Sequence, residues 1–227
     1  MVLAKPKPQT QLITYPHPIA PLWYCQAGTS SCASAVSWAI SNFSFGQAMS
    51  FEAWDEAASR VAAGAEGLIF HPYLMGERCP HWDPFLRASF VGATLKHTTG
   101  HFARAVYEGT AFSIRDAISA LGDIPVFGGP ITAVGGGTRS SLWLRILAEV
   151  LGKPVDAALR VDSSLGAALL GLVGLGFTTI EDLTAKSPAT QRFVPSEAAT
   201  RVYNEQFATY RRIHAQLASV YRDQGIR

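Results

Sequence analysis

The run Thr132-Ala133-Val134-Gly135-Gly136-Gly137-Thr138-Arg139-Ser140-Ser141-Leu142-Trp143 constrains this chain more than any other. A strand-like apolar stretch enters three glycines, and hydroxyl residues then open an amphipathic helix. Glycine removes the Cβ that keeps a backbone away from a flat or phosphorylated ligand. A helix N-terminus adds free N–H groups that attract anions. The run therefore predicts a strand-turn-helix unit with a nucleotide at the turn. It is not a Walker A loop, because no Gly-Lys-Ser follows. A tight turn without a ligand is the bland alternative.

With 227 residues, 48% of them hydrophobic and 16% charged, the chain has the composition of a globular protein with a sizeable core. The formal charge is only +2 and the basic residues are scattered, which argues against nucleic acid as partner. Cys25, Cys32 and Cys79 are odd in number and lack a C-x-x-C spacing, so neither a disulfide framework nor a zinc site is expected. Such cysteine usage suits a reducing cytoplasm. No stretch reaches the ~20 apolar residues of a membrane span. The start, Lys5-Pro6-Lys7-Pro8, has no apolar core behind it and does not read as a signal peptide.

Residues 1–15 read as an extended lead-in and 16–227 as one domain. Strands are expected at 22–26, 67–70, 89–92, 131–134 and 155–156. Helices are expected at 32–42, from 51 to about 63, and at 101–121, 140–151, 164–174 and 195–221, with a short helix or turn at 180–183. Ser30 or Ser31 is the expected cap of the first helix and Ser50 of the second. The helix 101–121 is the clearest, with Phe102, Ala105, Val106, Phe112 and Ile118 suiting a buried face. Residues 123–130 are turn-rich. The small-residue helix 164–174 is expected to pack closely on a neighbour. Alternating strands and helices indicate an α/β layered domain with a C-terminal helix packed on it.

Four segments then resemble one family in order and spacing. Gly76-Glu77-Arg78-Cys79-Pro80-His81-Trp82-Asp83-Pro84 resembles a G-E-R-T-P-H-W-D-P loop. Gly92, followed by His101, Arg104, Ala105, Glu108 and Gly109, resembles G-L-T … H-x-x-R-A-x-x-E-G. Gly135 to Ser140 resembles G-G-G-A-R-S, and Leu165-Gly166-Ala167-Ala168 resembles L-G-A-A. The chain thus resembles the C-terminal domain of the FGGY carbohydrate kinases, with the xylulokinase branch most similar.

That resemblance implies an incomplete α/β, actin-like ATPase (ribonuclease H-like) domain that holds ATP and Mg²⁺ against a sugar-binding partner domain. The aspartate acting as base is expected in that N-terminal domain, which nothing here matches, so no residue of this chain is expected to be catalytic. The phosphate-loop hairpin is also expected to be missing. Gly28-Thr29-Ser30 has its letters but stands in a different place. The implied activity is phosphorylation of a ketopentose such as D-xylulose by the full enzyme, with the isolated chain inactive. A kinase for glycerol, ribulose or gluconate shares much of the pattern, and a non-catalytic actin-like module binding nucleotide or protein is the rival. Self-association as a homodimer is left open, because such a domain exposes apolar surface.

Gly135, Gly136 and Gly137 are expected to contact adenine or ribose. Ser140 and Ser141 are expected to cap the following helix and reach the ligand. Lys96, before the long helix, would lend charge to the phosphates. Glu77, Arg78 and Asp83 are either a salt-bridge network or contacts at the interdomain cleft, and Asp83 is a weak candidate for water-bridged magnesium. His101, Arg104 and Glu108 share a helix face, where mutual salt bridging outweighs a ligand role. His17, His71 and His214 receive no catalytic role.

Overall fold

Short strands open the chain in the computed structural model, which describes residues 2–6, 10–44, 49–122, 131–158, 161, 163–185 and 190–223. The strands β1 (Val2–Leu3), β2 (Ile13–Pro16) and β3 (Trp23–Gln26) form an antiparallel sheet in the order β1-β3-β2. Tyr15 and Tyr24 are register partners and stack with ring centroids 5.1 Å apart. The segment expected as a lead-in therefore contributes Val2 and Leu3 to a sheet. Leu3 and Leu12 are buried against Cys25, Cys79, Ala117 and Leu121.

Helix α1 (Cys32–Phe43) follows a turn that is built differently from expectation. Ser31 occupies the N-cap position but makes no side-chain cap bond. The turn is fixed from a distance instead, by the Glu77 carboxylate accepting the Ser30 N–H at 2.7 Å. Helix α2 (Phe51–Ser59) is capped as expected, with Ser50 Oγ accepting the Ala53 N–H at 3.2 Å. It ends at Ser59, before the expected boundary, and left-handed Gly64 (φ 95°) then leads the chain into a 3-10 turn at Ala65–Gly67.

Strands β4 (Ile69–His71) and β5 (Ser89–Val91) form an antiparallel pair, on which Phe70 and Phe90 stack at 4.4 Å. Helix α3 (Thr99–Ser119) runs through the centre. A capping box starts it, with Thr98 and His101 exchanging side-chain and backbone bonds. Fourteen of its residues are buried, charged Arg104 and Glu108 among them, so it is a core helix rather than a one-faced amphipathic one. Gly109 is demanded by this packing: a Cβ there would meet the Phe70 carbonyl oxygen at 2.2 Å.

Strand β6 (Ile131–Ala133), helix α4 (Ser141–Leu151) and strand β7 (Val155–Ala158) form a parallel β-α-β crossover. Left-handed Gly152 closes α4. The turn-rich segment 123–130 lies outside the described residues. Helices α5 (Ser163–Gly174) and α6 (Ile180–Ala185) come next, and β8 (Thr190–Phe193) then adds antiparallel to β7. Asp156 on β7 and Arg192 on β8 pair through two hydrogen bonds of 2.8 Å. The last helix, α7 (Glu197–Asp223), buries Tyr203, Phe207, Tyr210 and Ala218 in the main core.

Helix α5 departs from expectation. Close packing was expected of it, yet none of its residues is buried and a Cβ at Gly166, Gly171 or Gly174 would meet nothing within 4 Å. Its composition makes it apolar on every side, but no described element covers it. No described helix is long and apolar enough to cross a membrane.

Candidate functional site

The glycine run begins where β6 ends. Val134 is 58% exposed, and Gly135 adopts φ 88°, a left-handed conformation that disfavours any side chain. A 3-10 turn over Gly136–Arg139 follows, tied by Thr138 Oγ1 donating to the Gly135 carbonyl at 2.8 Å. Ser140 caps α4, its Oγ accepting the Trp143 N–H at 3.0 Å. Ser141 is exposed at the start of the helix.

The three glycines differ in what surrounds them. A Cβ on Gly135 or Gly136 would meet nothing within 4 Å, whereas one on Gly137 would lie 3.0 Å from the Trp143 ring. Gly137 is thus the one packed tightly against the protein's own side chains. Gly136 is not, and its bare backbone opens outward at the C-terminal end of a parallel strand. Ligands of open α/β sheets sit in that location. A side chain at 136 would project into that open space.

Glu77 and Asp83 exchange backbone hydrogen bonds of 3.0 and 2.9 Å, but the side chains of Glu77, Arg78 and Asp83 do not form one salt-bridge network. Glu77 is buried, and its carboxylate accepts from the N–H groups of Ser30 and Arg78 at 2.7 and 2.8 Å and from Ser113 Oγ at 3.1 Å. Burial pushes its carboxyl up, and these donors partly oppose the shift. Arg78 is exposed and donates to the Thr29 carbonyl at 2.7 Å, beside Gly28. Asp83 is buried with both oxygens engaged: Oδ1 accepts the Phe85 N–H at 2.9 Å and Oδ2 accepts from Arg222 Nε at 2.8 Å. Such a carboxylate does not fit the weak expectation of water-bridged magnesium. No group of three or more His, Cys, Asp or Glu suited to a metal occurs among the described residues.

Lys96 is exposed in the turn before α3, with its N–H on Thr94 Oγ1 at 3.4 Å. The face shared by His101, Arg104 and Glu108 divides. His101 belongs to the capping box and stands 3.6 Å from Glu66. Arg104 Nε and Glu108 Oε1 pair at 2.7 Å in the interior, and the Tyr203 hydroxyl joins both.

Several polar groups here gave no sequence signal. Trp143 Nε1 donates to Thr110 Oγ1 at 3.2 Å, and the Tyr107 hydroxyl donates to Asp55. His71 and His214, given no role, join a buried aromatic group. His71 Nε2 donates to the Tyr210 carbonyl at 3.0 Å, Nδ1 faces Ser89 Oγ at 3.2 Å, and His214 stacks on His81 at 3.9 Å. Burial lowers both His71 and His214 to about 4.

With this geometry in place, comparison with known proteins decides the lineage. The model of the C-terminal domain of the FGGY family of carbohydrate kinases matches residues 1–175. The chain belongs to the FGGY family of carbohydrate kinases. A xylulose kinase from Staphylococcus epidermidis (strain ATCC 35984) is 32% identical over 217 residues, covering 94% of this chain and 43% of that protein. Ligand-bound xylulose kinase from Lactobacillus acidophilus superposes with a TM-score of 0.87 at 26% identity, covering 98% of this chain and 46% of its own. Gluconate kinase from the same organism superposes with a TM-score of 0.84 at 27% identity, covering 98% and 46%. The FGGY domain described here thus spans less than half the length of these relatives. It shares their actin-like ATPase fold, and the match extends through α7. The glycine turn and the Glu77–Asp83 loop both lie within residues 1–175.

Proposed function

We propose that this FGGY domain is the nucleotide-binding half of an ATP-dependent sugar kinase, with a ketopentose such as D-xylulose as the sugar. The single observation that carries this reading is the outward opening of Gly135 and Gly136 at the end of β6, where no protein atom needs the space. Gly135, Gly136 and Gly137 would take the adenosine side of the ligand. Ser140 holds the first turn of α4 in place, and exposed Ser141 is available to touch the nucleotide. Lys96 would offset negative charge on the phosphates. ATP supplies the transferable phosphoryl group, and Mg²⁺ accompanies its phosphates. No residue of this chain is assigned the role of base.

Support for the sugar comes from names alone: the relatives include xylulose kinases and a gluconate kinase. Calorimetry with Mg-ADP, followed by a coupled ADP-release assay with D-xylulose and D-gluconate, tests the reading. Nucleotide binding is expected without turnover of either sugar by this chain alone, since no base is assigned to it. Absence of nucleotide binding would overturn the proposal. The second reading, a non-catalytic actin-like module that binds another protein or self-associates, is favoured by exposed Leu170, Leu172, Leu175 and Phe177 on and after α5. It predicts tight dimerisation in sedimentation and no nucleotide response.

A further inference from the structure

The glycine turn has an outward half and an inward half, and α3 holds the inward one. We propose that Trp143, anchored on Thr110, is the positioning residue that sets the shape of the Gly135–Ser140 turn for a nucleotide. The inference rests on the nucleotide reading above and adds the device that fixes the cradle.

Trp143 meets the turn at its middle and at its last residue. Its backbone N–H is the donor that Ser140 Oγ accepts, at 3.0 Å. Its six-membered ring lies against Gly137, so that an added Cβ would sit 3.0 Å from Cζ3 and 3.4 Å from Cε3. A side chain at 137 would therefore press on the ring, which would have to give by a few tenths of an ångström to admit it. The ring itself cannot slide freely. Its Nε1–H donates to Thr110 Oγ1 at 3.2 Å, and that hydroxyl donates onward to the Tyr107 carbonyl at 2.9 Å. Thr110 is fully buried, so the acceptor is fixed in the core helix.

Tyr107, one helical turn before Thr110, donates its hydroxyl to Asp55 on α2. The face of α3 that holds the Trp143 ring is thereby tied to α2 as well. The turn's inward half is clamped, while Gly135 and Gly136 remain open to a ligand.

The test uses the full chain with Thr110→Val, Thr110→Ser, Gly137→Ala and the double variant Thr110→Val with Gly137→Ala. Backbone amide exchange over residues 135–140 and calorimetric affinity for Mg-ADP are measured beside thermal stability. Thr110→Val removes the hydroxyl and with it both the bond from Trp143 Nε1 and the bond to the Tyr107 carbonyl; loss of the first frees the ring, so ADP affinity is expected to fall about three- to tenfold. Exchange over 135–140 is expected to accelerate by a similar factor, with exchange in the α3 core unchanged. Thr110→Ser keeps the hydroxyl and restores both. In the Thr110→Val background the ring is free to yield, so Gly137→Ala is expected to lose less affinity there than in the unsubstituted chain. Unchanged exchange over 135–140 in Thr110→Val would overturn the inference, as would strict additivity in the double variant. If the unsubstituted chain binds no ADP, the nucleotide reading fails, and exchange together with stability additivity still decides whether Trp143 positions the turn.

Discussion

Arg222, near the end of α7, donates through Nε to Asp83 Oδ2 at 2.8 Å and ties the C-terminal helix to the 77–84 loop across 139 residues of sequence. Asp83 is buried, whereas the Arg222 side chain is 60% exposed. Solvent screening on the arginine side keeps the pair modest. Arg222→Ala is therefore expected to lower unfolding free energy by about 1 kcal/mol, read as a shift in urea midpoint. Asp83→Asn is expected to reduce stability and leave the magnesium dependence of ADP binding unchanged.

A deeper pair joins Arg104 to Glu108. Glu108 Oε1 accepts from Arg104, from the Gly64 N–H at 2.9 Å and from the Tyr203 hydroxyl at 2.9 Å. Glu108→Gln leaves the arginine charge buried without its counter-charge, which costs about 3 kcal/mol. Tyr203→Phe removes one shared hydroxyl and is expected to cost about 1 kcal/mol. Chemical denaturation of both variants checks the order.

The buried histidines make stability depend on acid. His71 and His214 lie against His81, Tyr73, Tyr210 and Asp116, with Asp83 also acting on His214 and Arg211 on Asp116. His81 Nε2 stands 3.0 Å from Asp116 Oδ2 without making a hydrogen bond to it. Folded-state values of about 4 lie below the usual 6.5. Both rings are thus neutral in the folded protein, and the unfolded chain binds more protons below pH 6.5. Stability from this source is complete above that value and declines as pH falls from 6.5 towards 4. His71 alone is expected to lower unfolding free energy by about 2 kcal/mol between pH 8 and pH 5. In His71→Asn the urea midpoint should depend less on pH over that range.

Exposure of α5 makes an opposite kind of prediction. Leu172 is 42% exposed, so Leu172→Glu is expected to change unfolding free energy by less than about 0.5 kcal/mol. A loss of several kcal/mol in equilibrium denaturation at low protein concentration would show that the helix is covered in solution.

What the sequence revealed was local, and what it concealed was not. The strand, glycine turn and capped helix from Ile131 to Leu151 were legible because conformation, cap and period are all set by neighbours in the chain. Ser50 capped α2 for the same reason. Strand β1 escaped notice, since Val2 and Leu3 become a strand only by pairing with Trp23 and Tyr24. The Ser30–Ser31 turn was misread because its fixing group, Glu77, lies 47 residues away. Apolar composition correctly marked α5 as a helix but said nothing of which element would cover it. At the candidate site the outward glycines were legible, while Thr110 and Asp55 are polar residues whose part appears only when α2, α3 and α4 meet.

The most direct measurement is titration of the unsubstituted chain and of Gly136→Val with Mg-ADP in a calorimeter, with thermal unfolding of both as control. Gly136 faces open space, so valine there should leave the fold intact while filling the cradle. Binding by the unsubstituted chain, lost in Gly136→Val at unchanged unfolding temperature, is the result expected. Equal binding by both, or binding by neither, would contradict the assignment of the glycine turn as the nucleotide site.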